Sequence, residues 1–164
     1  MRKEVVVNKN LWIFDIDGTL ANNLHRQHHL MNGKREWDEF FSKQHLDEPY
    51  EPVFELLRML VATGNKCIII TGRMEHHRQD SLEWIWEHYG AFNADDLIMR
   101  PNGDQTEDDE LKWNITQKYL NDNPELKLVA LFDDRHRIID KFRDNGVYVF
   151  ECNQNQKRQF HLLR

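Results

Sequence analysis

Short apolar runs recur along the chain at 11–15, 67–71, 96–99, 128–132 and 147–151, each brief and apolar enough to read as a buried strand. The stretches between them carry apolar residues at helical spacing. The pattern over 53–62 predicts a helix that stops near Gly64, and 81–89 one that stops at Gly90, because glycine suits the position just past a helix end. Thr106 is placed to cap a helix opening with Glu107-Asp108-Asp109-Glu110, acids that suit the positive end of the helix dipole, with Leu111, Ile115 and Tyr119 on its inner face. Ile138, Ile139 and Phe142 precede Gly146 on a last helix. Alternating strands and helices predict an α/β fold, a five-stranded parallel sheet flanked by helices on both faces. A ligand of such a sheet lies outside the carboxyl ends of the strands, where Asp15, Thr71 and Asp133 all fall. No internal repeat or linker interrupts the alternation, so 1–164 is expected to be a single domain.

Residues 21–50 break the pattern. Asn22-Asn23, His25, His28-His29, Asn32-Gly33 and Asp47-Glu48-Pro49 do not suit a core element. The segment is too short for an independently stable domain. It is expected to form a small cap or lid inserted after the first strand, a loop with a helix around 37–42. So small a lid would leave a site open, which suits a bulky substrate or the end of a polymer. The tail, 153–164, is polar with Phe160, Leu162 and Leu163 near its end. Docking as a helix, pairing with another chain and mobility are all compatible with it.

Composition narrows the class. With 40% hydrophobic residues, five Trp and nine Phe, the chain has the means to bury a core. A net charge of −6 argues against broad adhesion to nucleic acid or membranes, though not against a local basic groove. Neither a signal peptide nor a membrane-spanning stretch is evident, which predicts a cytoplasmic protein. Cys67 and Cys152 read as buried thiols. His25, His28, His29, His76 and His77 read as lid and surface residues, because no matching cysteine or acidic triad accompanies them. Of Trp84 and Trp86, at least one is expected in the core. Oligomeric state is left open.

The chemistry centres on Asp15-Ile16-Asp17-Gly18-Thr19, at the end of the first apolar run. Two carboxylates there are costly unless neutralised; a bound cation and a phosphoryl group would do so, and an aspartate can attack phosphorus. Three further elements follow in order: Ile70-Thr71-Gly72-Arg73, Leu111-Lys112 and Phe132-Asp133-Asp134-Arg135. A plain turn at Asp17-Gly18 and a helix cap at Asp133-Asp134 would leave Asp15 without a partner. Asp15 is the expected nucleophile. Asp17, two residues on, is placed to protonate the leaving oxygen and later deprotonate water. Gly18 allows a close backbone turn, Thr71 offers a hydroxyl and an N–H, and Lys112 brings positive charge. Mg²⁺ fits the carboxylate cluster, since it takes hard oxygen ligands and shares substrate phosphate.

Together these motifs resemble the haloacid dehalogenase (HAD) superfamily of phosphotransferases over roughly 11–150, which implies a Rossmann-like HAD core. The resemblance implies metal ligation by the Asp15 side chain, the Asp17 carbonyl and one of Asp133 and Asp134, with Asp134 favoured and Asp133 paired to Lys112. A narrower resemblance is to the phosphatase half of phage polynucleotide kinase–phosphatases, enzymes of nucleic-acid end repair. It is carried by Asp15–Ala21, Arg26, Asp47-Glu48-Pro49, Thr71-Gly72-Arg73, Gly103-Asp104, Asp108-Asp109, Lys112 and Asp133-Asp134-Arg135. By this resemblance the catalytic set is Asp15, Asp17, Thr71, Lys112 and Asp133, and the substrate-binding set Gly18, Thr19, Arg26, Gly72, Arg73 and Asp108. Arg26 has the alternative of an exposed lid charge, and Asp108 that of a simple helix-start acid. No Gly-x-x-x-x-Gly-Lys-Ser/Thr loop occurs, so no 5′ kinase activity is expected. The acidic stretch 104–110 would repel a long nucleic acid. The leading expectation is a Mg²⁺-dependent 3′-phosphatase acting on a phosphorylated nucleic-acid end. A phosphatase of free nucleoside monophosphates or another small phosphoester is the alternative, and a non-catalytic module that binds phosphorylated ends a third.

Overall fold

The computed structural model describes residues 9–153. The expected tail beyond Asn153 and the first eight residues lie outside the described residues. The core is one parallel sheet of β1 (Lys9–Phe14), β4 (Lys66–Met74), β5 (Leu97–Arg100), β6 (Leu126–Asp133) and β7 (Tyr148–Glu151), in the order β5-β4-β1-β6-β7. Every neighbouring pair is parallel, as the alternation of strands and helices requires. The central strand β1 places Phe14 opposite Ile69 on one side and Phe132 on the other.

Both faces are covered. On one, Phe14, Ile69 and Phe132 pack with residues of α2 (Glu51–Ala62) and α3 (Arg78–Tyr89), among them Phe54, Leu57, Leu82, Trp84 and Ile85. On the other, Ile13, Ile68, Ile70 and Leu131 meet α5 (His136–Asp144) through Ile138, Ile139 and Phe142, with Trp113 and Ile115 of α4 (Asp108–Asp122) alongside. The Phe132 ring lies parallel to Phe14 at 4.5 Å and to Phe150 at 4.7 Å, so stacked aromatics run across three strands beneath the site. Cys67 is buried, Cys152 is half-buried and both are free thiols; burial pushes each up to about 12. Trp84 is a core residue, and Trp86 stays 39% exposed. Among the described residues no helix is long and apolar enough to cross a membrane.

The helix expected at the start of α4 differs in one detail. Thr106 does not cap it; Glu107 holds that position and the helix begins at Asp108. Thr106 is held by its backbone instead, its N–H donating to Asp104 Oδ1 at 2.7 Å and its carbonyl accepting from Arg100 Nη1 at 2.7 Å.

The segment between β1 and α2 starts and ends in a two-stranded antiparallel pair. β2 (Ala21–Asn22) runs against β3 (Glu48–Pro49), with Ala21 opposite Pro49. Between them lie a 3₁₀ turn at Leu24–His29, the helix α1 (Trp37–Ser42), as expected from 37–42, and a second 3₁₀ turn at Gln44–Leu46. The segment is tied to the core by Trp84 Nε1, which donates to the Asp47 carbonyl at 2.8 Å. A buried ion pair ties it to itself: Arg26 Nε donates to Asp47 Oδ1 at 2.7 Å and Nη2 to Oδ2 at 2.5 Å.

That pair generates a stability prediction. Asp47→Ala leaves the fully buried Arg26 undercompensated and is expected to cost about 3–5 kcal/mol in urea unfolding. Removing the exposed Lys118–Asp122 pair on α4 is expected to leave the unfolding midpoint unchanged. Equal effects from the two substitutions would refute this ranking.

Candidate active site

The carboxyl ends of β1 and β6 bring Asp15 and Asp133 side by side, because Phe14 and Phe132 are register partners. Both carboxylates are buried. Lys112, in the second turn of α4, reaches between them: its Nζ donates to Asp15 Oδ1 at 2.7 Å and to Asp133 Oδ2 at 2.6 Å. The other Asp133 oxygen accepts from the Arg135 backbone N–H at 3.0 Å. Oxygens of Asp15, Asp133 and Asp134 lie within 4.8 Å of one another. Burial pushes Asp15 up to about 8, against the pull of Lys112 and with help from the neighbouring aspartates. Burial also opposes the charge on Lys112, but Asp133 and Asp15 outweigh it and hold the ammonium above its usual range. Three carboxylates around one ammonium leave a net negative, hard-oxygen site, a donor set that fits Mg²⁺.

Asp17 sits in a different environment. Arg73 donates to it twice, from Nε to Oδ2 and from Nη2 to Oδ1, both at 2.8 Å, and Arg26 Nη2 pairs with Oδ1. Burial alone would raise the Asp17 pKa; Arg73 and Arg26 outweigh it and hold the carboxyl well below the usual carboxylate range. Both arginines also reach Asp47, and Arg73 is further held by Gln44 and by Ser81 Oγ at 3.2 Å.

The two motif glycines seat carboxylates. Gly18 has φ +87°, and a Cβ there would run into the Asp134 carboxylate. A Cβ on Gly72 would lie 3.1 Å from Asp108 Oδ1. Asp108, first residue of α4, bridges Arg100 at the end of β5 and Arg135 after β6. Arg100 Nε also donates to the Gly72 carbonyl at 3.2 Å.

A cleft of about 870 Å³ opens over these groups, and its wall includes Asp15, Asp17, Thr71, Gly72, Arg73, Asp108, Lys112 and Asp134. Other expected site residues lie behind it. Asp133 is occupied by Lys112, and Thr19 is buried in the turn, its N–H donating to the Ile16 carbonyl at 3.1 Å. Arg26 neither faces the cleft nor stands as an exposed lid charge. It is fully buried, engaged by Asp17 and Asp47 and laid over the Phe40 ring at 4.0 Å.

The repulsive acidic stretch expected over 104–110 is also corrected. Glu107 and Asp109 meet Arg137, Glu110 meets Lys141, and Asp104 and Asp108 meet Arg100. The histidines join no candidate metal group among the described residues. Sequence reasoning passed over Gln44, Ser81 and Arg100. Arg100 had a usable signal, a charge at the carboxyl end of a buried strand; buried Gln44 and Ser81 had none.

The family described as the polynucleotide kinase PNKP phosphatase domain matches residues 9–157. Among solved structures, a chain of the Pnkp1/Rnl/Hen1 RNA repair complex superposes with a TM-score of 0.72 at 23% identity, over 93% of this chain and 45% of that one. The class C acid phosphatase of Bacillus anthracis gives 0.63 at 15% identity, over 88% and 67%. A hydrolase of Streptococcus pneumoniae TIGR4 gives 0.57 at 13%, over 94% and 99%. At these identities the likeness is one of fold, and the chain spans less than half the length of the RNA repair protein. No curated protein matches the chain. The match over 9–157, most of the chain, shows that it belongs to the PNKP phosphatase-domain family of HAD phosphatases.

Proposed function

We propose that the protein is a Mg²⁺-dependent phosphomonoesterase that works through an aspartyl-phosphate and removes the 3′-phosphate from nucleic-acid ends. The observation that carries this reading is the division of charge in the cleft: Asp15 on Lys112, and Asp17, two residues away, on two arginines.

Asp15, Asp134 and the Asp17 carbonyl would hold Mg²⁺, since both Asp133 oxygens already accept hydrogen bonds. The cation would neutralise the cluster and the phosphate oxygens. A carboxylate oxygen of Asp15 attacks phosphorus, and the ester oxygen leaves with a proton from Asp17. Resting Asp17 is ionised, but an incoming phosphate dianion raises its proton affinity, so Asp17 takes up a proton from solvent as the substrate binds. Asp17, again a carboxylate, then takes a proton from the water that attacks phosphorus and releases phosphate from Asp15. Lys112 stabilises the charge on Asp15 and the phosphoryl oxygens, and Thr71, Gly72 and Arg73 line the phosphate seat. Arg26 acts through Asp17 as a positioning residue, Asp108 through Arg100 and Arg135, and Gly18 and Thr19 build the turn that carries Asp17. The segment 21–50 serves as a lid on one side of the cleft. The polynucleotide substrate is supported by the family's description, by the RNA repair complex of the Pnkp1 relative and by the volume of the open cleft.

Three outcomes are expected. Asp15→Asn should lower phosphate release from any phosphomonoester by roughly a thousandfold or more while circular dichroism is unchanged, as loss of a covalent nucleophile does; a tenth of wild-type turnover remaining would mean direct attack by water.

Chelator should abolish activity and Mg²⁺ restore it. Because Asp15 is raised to about 8, its ionisation costs the metal-free fold stability progressively from near pH 4 up to about pH 8. The rise in Tm on adding Mg²⁺ should therefore be larger at pH 8 than at pH 6. A rise that shrinks with increasing pH would exclude this account of Asp15.

A 3′-phosphorylated oligonucleotide should exceed a 3′-mononucleotide in kcat/KM by roughly ten- to a hundredfold, the value of one charge-assisted phosphate contact. Equal turnover would favour the mononucleotide reading.

A further inference from the structure

The cleft has a second chemical character away from the carboxylates. Trp37, the first residue of α1, lines it and is 50% exposed. Its ring is braced from within. Phe41 lies nearly parallel at 6.1 Å and 20°, and Phe40 meets it edge-on at 6.2 Å and 87°. Phe40 in turn lies under the Arg26 guanidinium, the same group that holds Asp17. An indole fixed on its inner side and half open to the catalytic cleft is an aromatic platform, which accepts any nucleobase. Arg35 stands two residues away, exposed and also on the cleft wall. The other arginines of that wall, Arg73, Arg100 and Arg135, are engaged by Asp17 or Asp108. Arg35 has no ion pair among the described residues, so its charge is free for an anion from outside.

We propose that Trp37 and Arg35 form a nucleotide subsite beside the carboxylates, the indole stacking an unpaired base of the strand end and the Arg35 guanidinium taking a phosphodiester. The subsite rests on the reading of the cleft as a 3′-phosphatase site and gives it a substrate form: single-stranded or frayed ends, since a base inside a duplex has both faces stacked.

The test compares wild type, Trp37→Ala, Trp37→Phe and Arg35→Ala on a single-stranded 3′-phosphorylated oligonucleotide and on glycerol phosphate, which has neither base nor phosphodiester. The ratio of the two kcat/KM values should fall about tenfold or more in Trp37→Ala, mainly through KM for the oligonucleotide, and largely recover in Trp37→Phe. In Arg35→Ala the slope of log kcat/KM against log salt for the oligonucleotide should become shallower by about 0.7, one phosphate contact on a single strand. A wild-type preference for the oligonucleotide that survives in both alanine variants, with the slope unchanged, overturns the subsite and leaves the phosphatase reading standing. Release from both compounds without preference overturns the subsite; where wild type releases phosphate from neither, the failure lies in the 3′-phosphatase reading. The subsite is then decided by fluorescence titration of the Asp15→Asn protein with the same oligonucleotide. Quenching that disappears when Trp37→Phe is added supports it, and absence of quenching overturns it.

Discussion

Everything at the site follows from one electrostatic constraint: a parallel sheet that ends four aspartates in one small volume must supply counter-charge to each, and supply it unequally. Lys112 covers Asp15 and Asp133 with a single ammonium, which leaves Asp15 poorly compensated. Asp17 has two guanidinium groups, themselves steadied by Asp47. Two carboxylates separated by one residue thus acquire opposite proton affinities: without a cation, Asp15 tends to keep its proton and Asp17 to lose it.

The same constraint explains where side chains are forbidden. Gly18 and Gly72 stand in different motifs and on different strand ends, yet each has an aspartate resting against its Cα. Glycine there makes room for a carboxylate to approach the backbone, and in Gly18 the positive φ adds a second reason. The link from Gly72 through Asp108 to Arg100 and Arg135 joins the ends of β4, β5 and β6 to the start of α4, the helix that delivers Lys112.

The strands and helices were legible because a doubly covered parallel sheet makes its strands nearly continuous apolar runs, and here each run maps onto a strand. β4 extends beyond its apolar run to Met74, through an arginine that is bearable there because Asp17, Asp47, Gln44 and Ser81 receive it. Asp15, Lys112 and the Asp133–Asp134 pair were visible as motifs in a fixed order. Arg26 was not legible in its actual role. A cation in a polar insert reads as solvent-facing, and what buries it is Phe40 and Asp47, 14 and 21 residues further on. The acidic stretch over 104–110 misled for the same reason: its partners Arg137 and Lys141 lie on another helix, and local charge counting does not see them.

The short β2–β3 pair has a consequence for how such a protein diversifies. It closes the insert at its base, so the length and content of what lies between can change while the ends stay fixed, and longer loops cost little once closed. An exchange of that kind would reshape one wall of the cleft at small cost to the sheet. Yet Arg26 and Asp47 both belong to the exchanged piece, and they set the charge around Asp17. The wall of the cleft and the counter-charge of Asp17 are therefore inherited as one cassette: a chain that acquires a new insert acquires new partners for Asp17 with it, and must re-establish them before it can exploit the new wall.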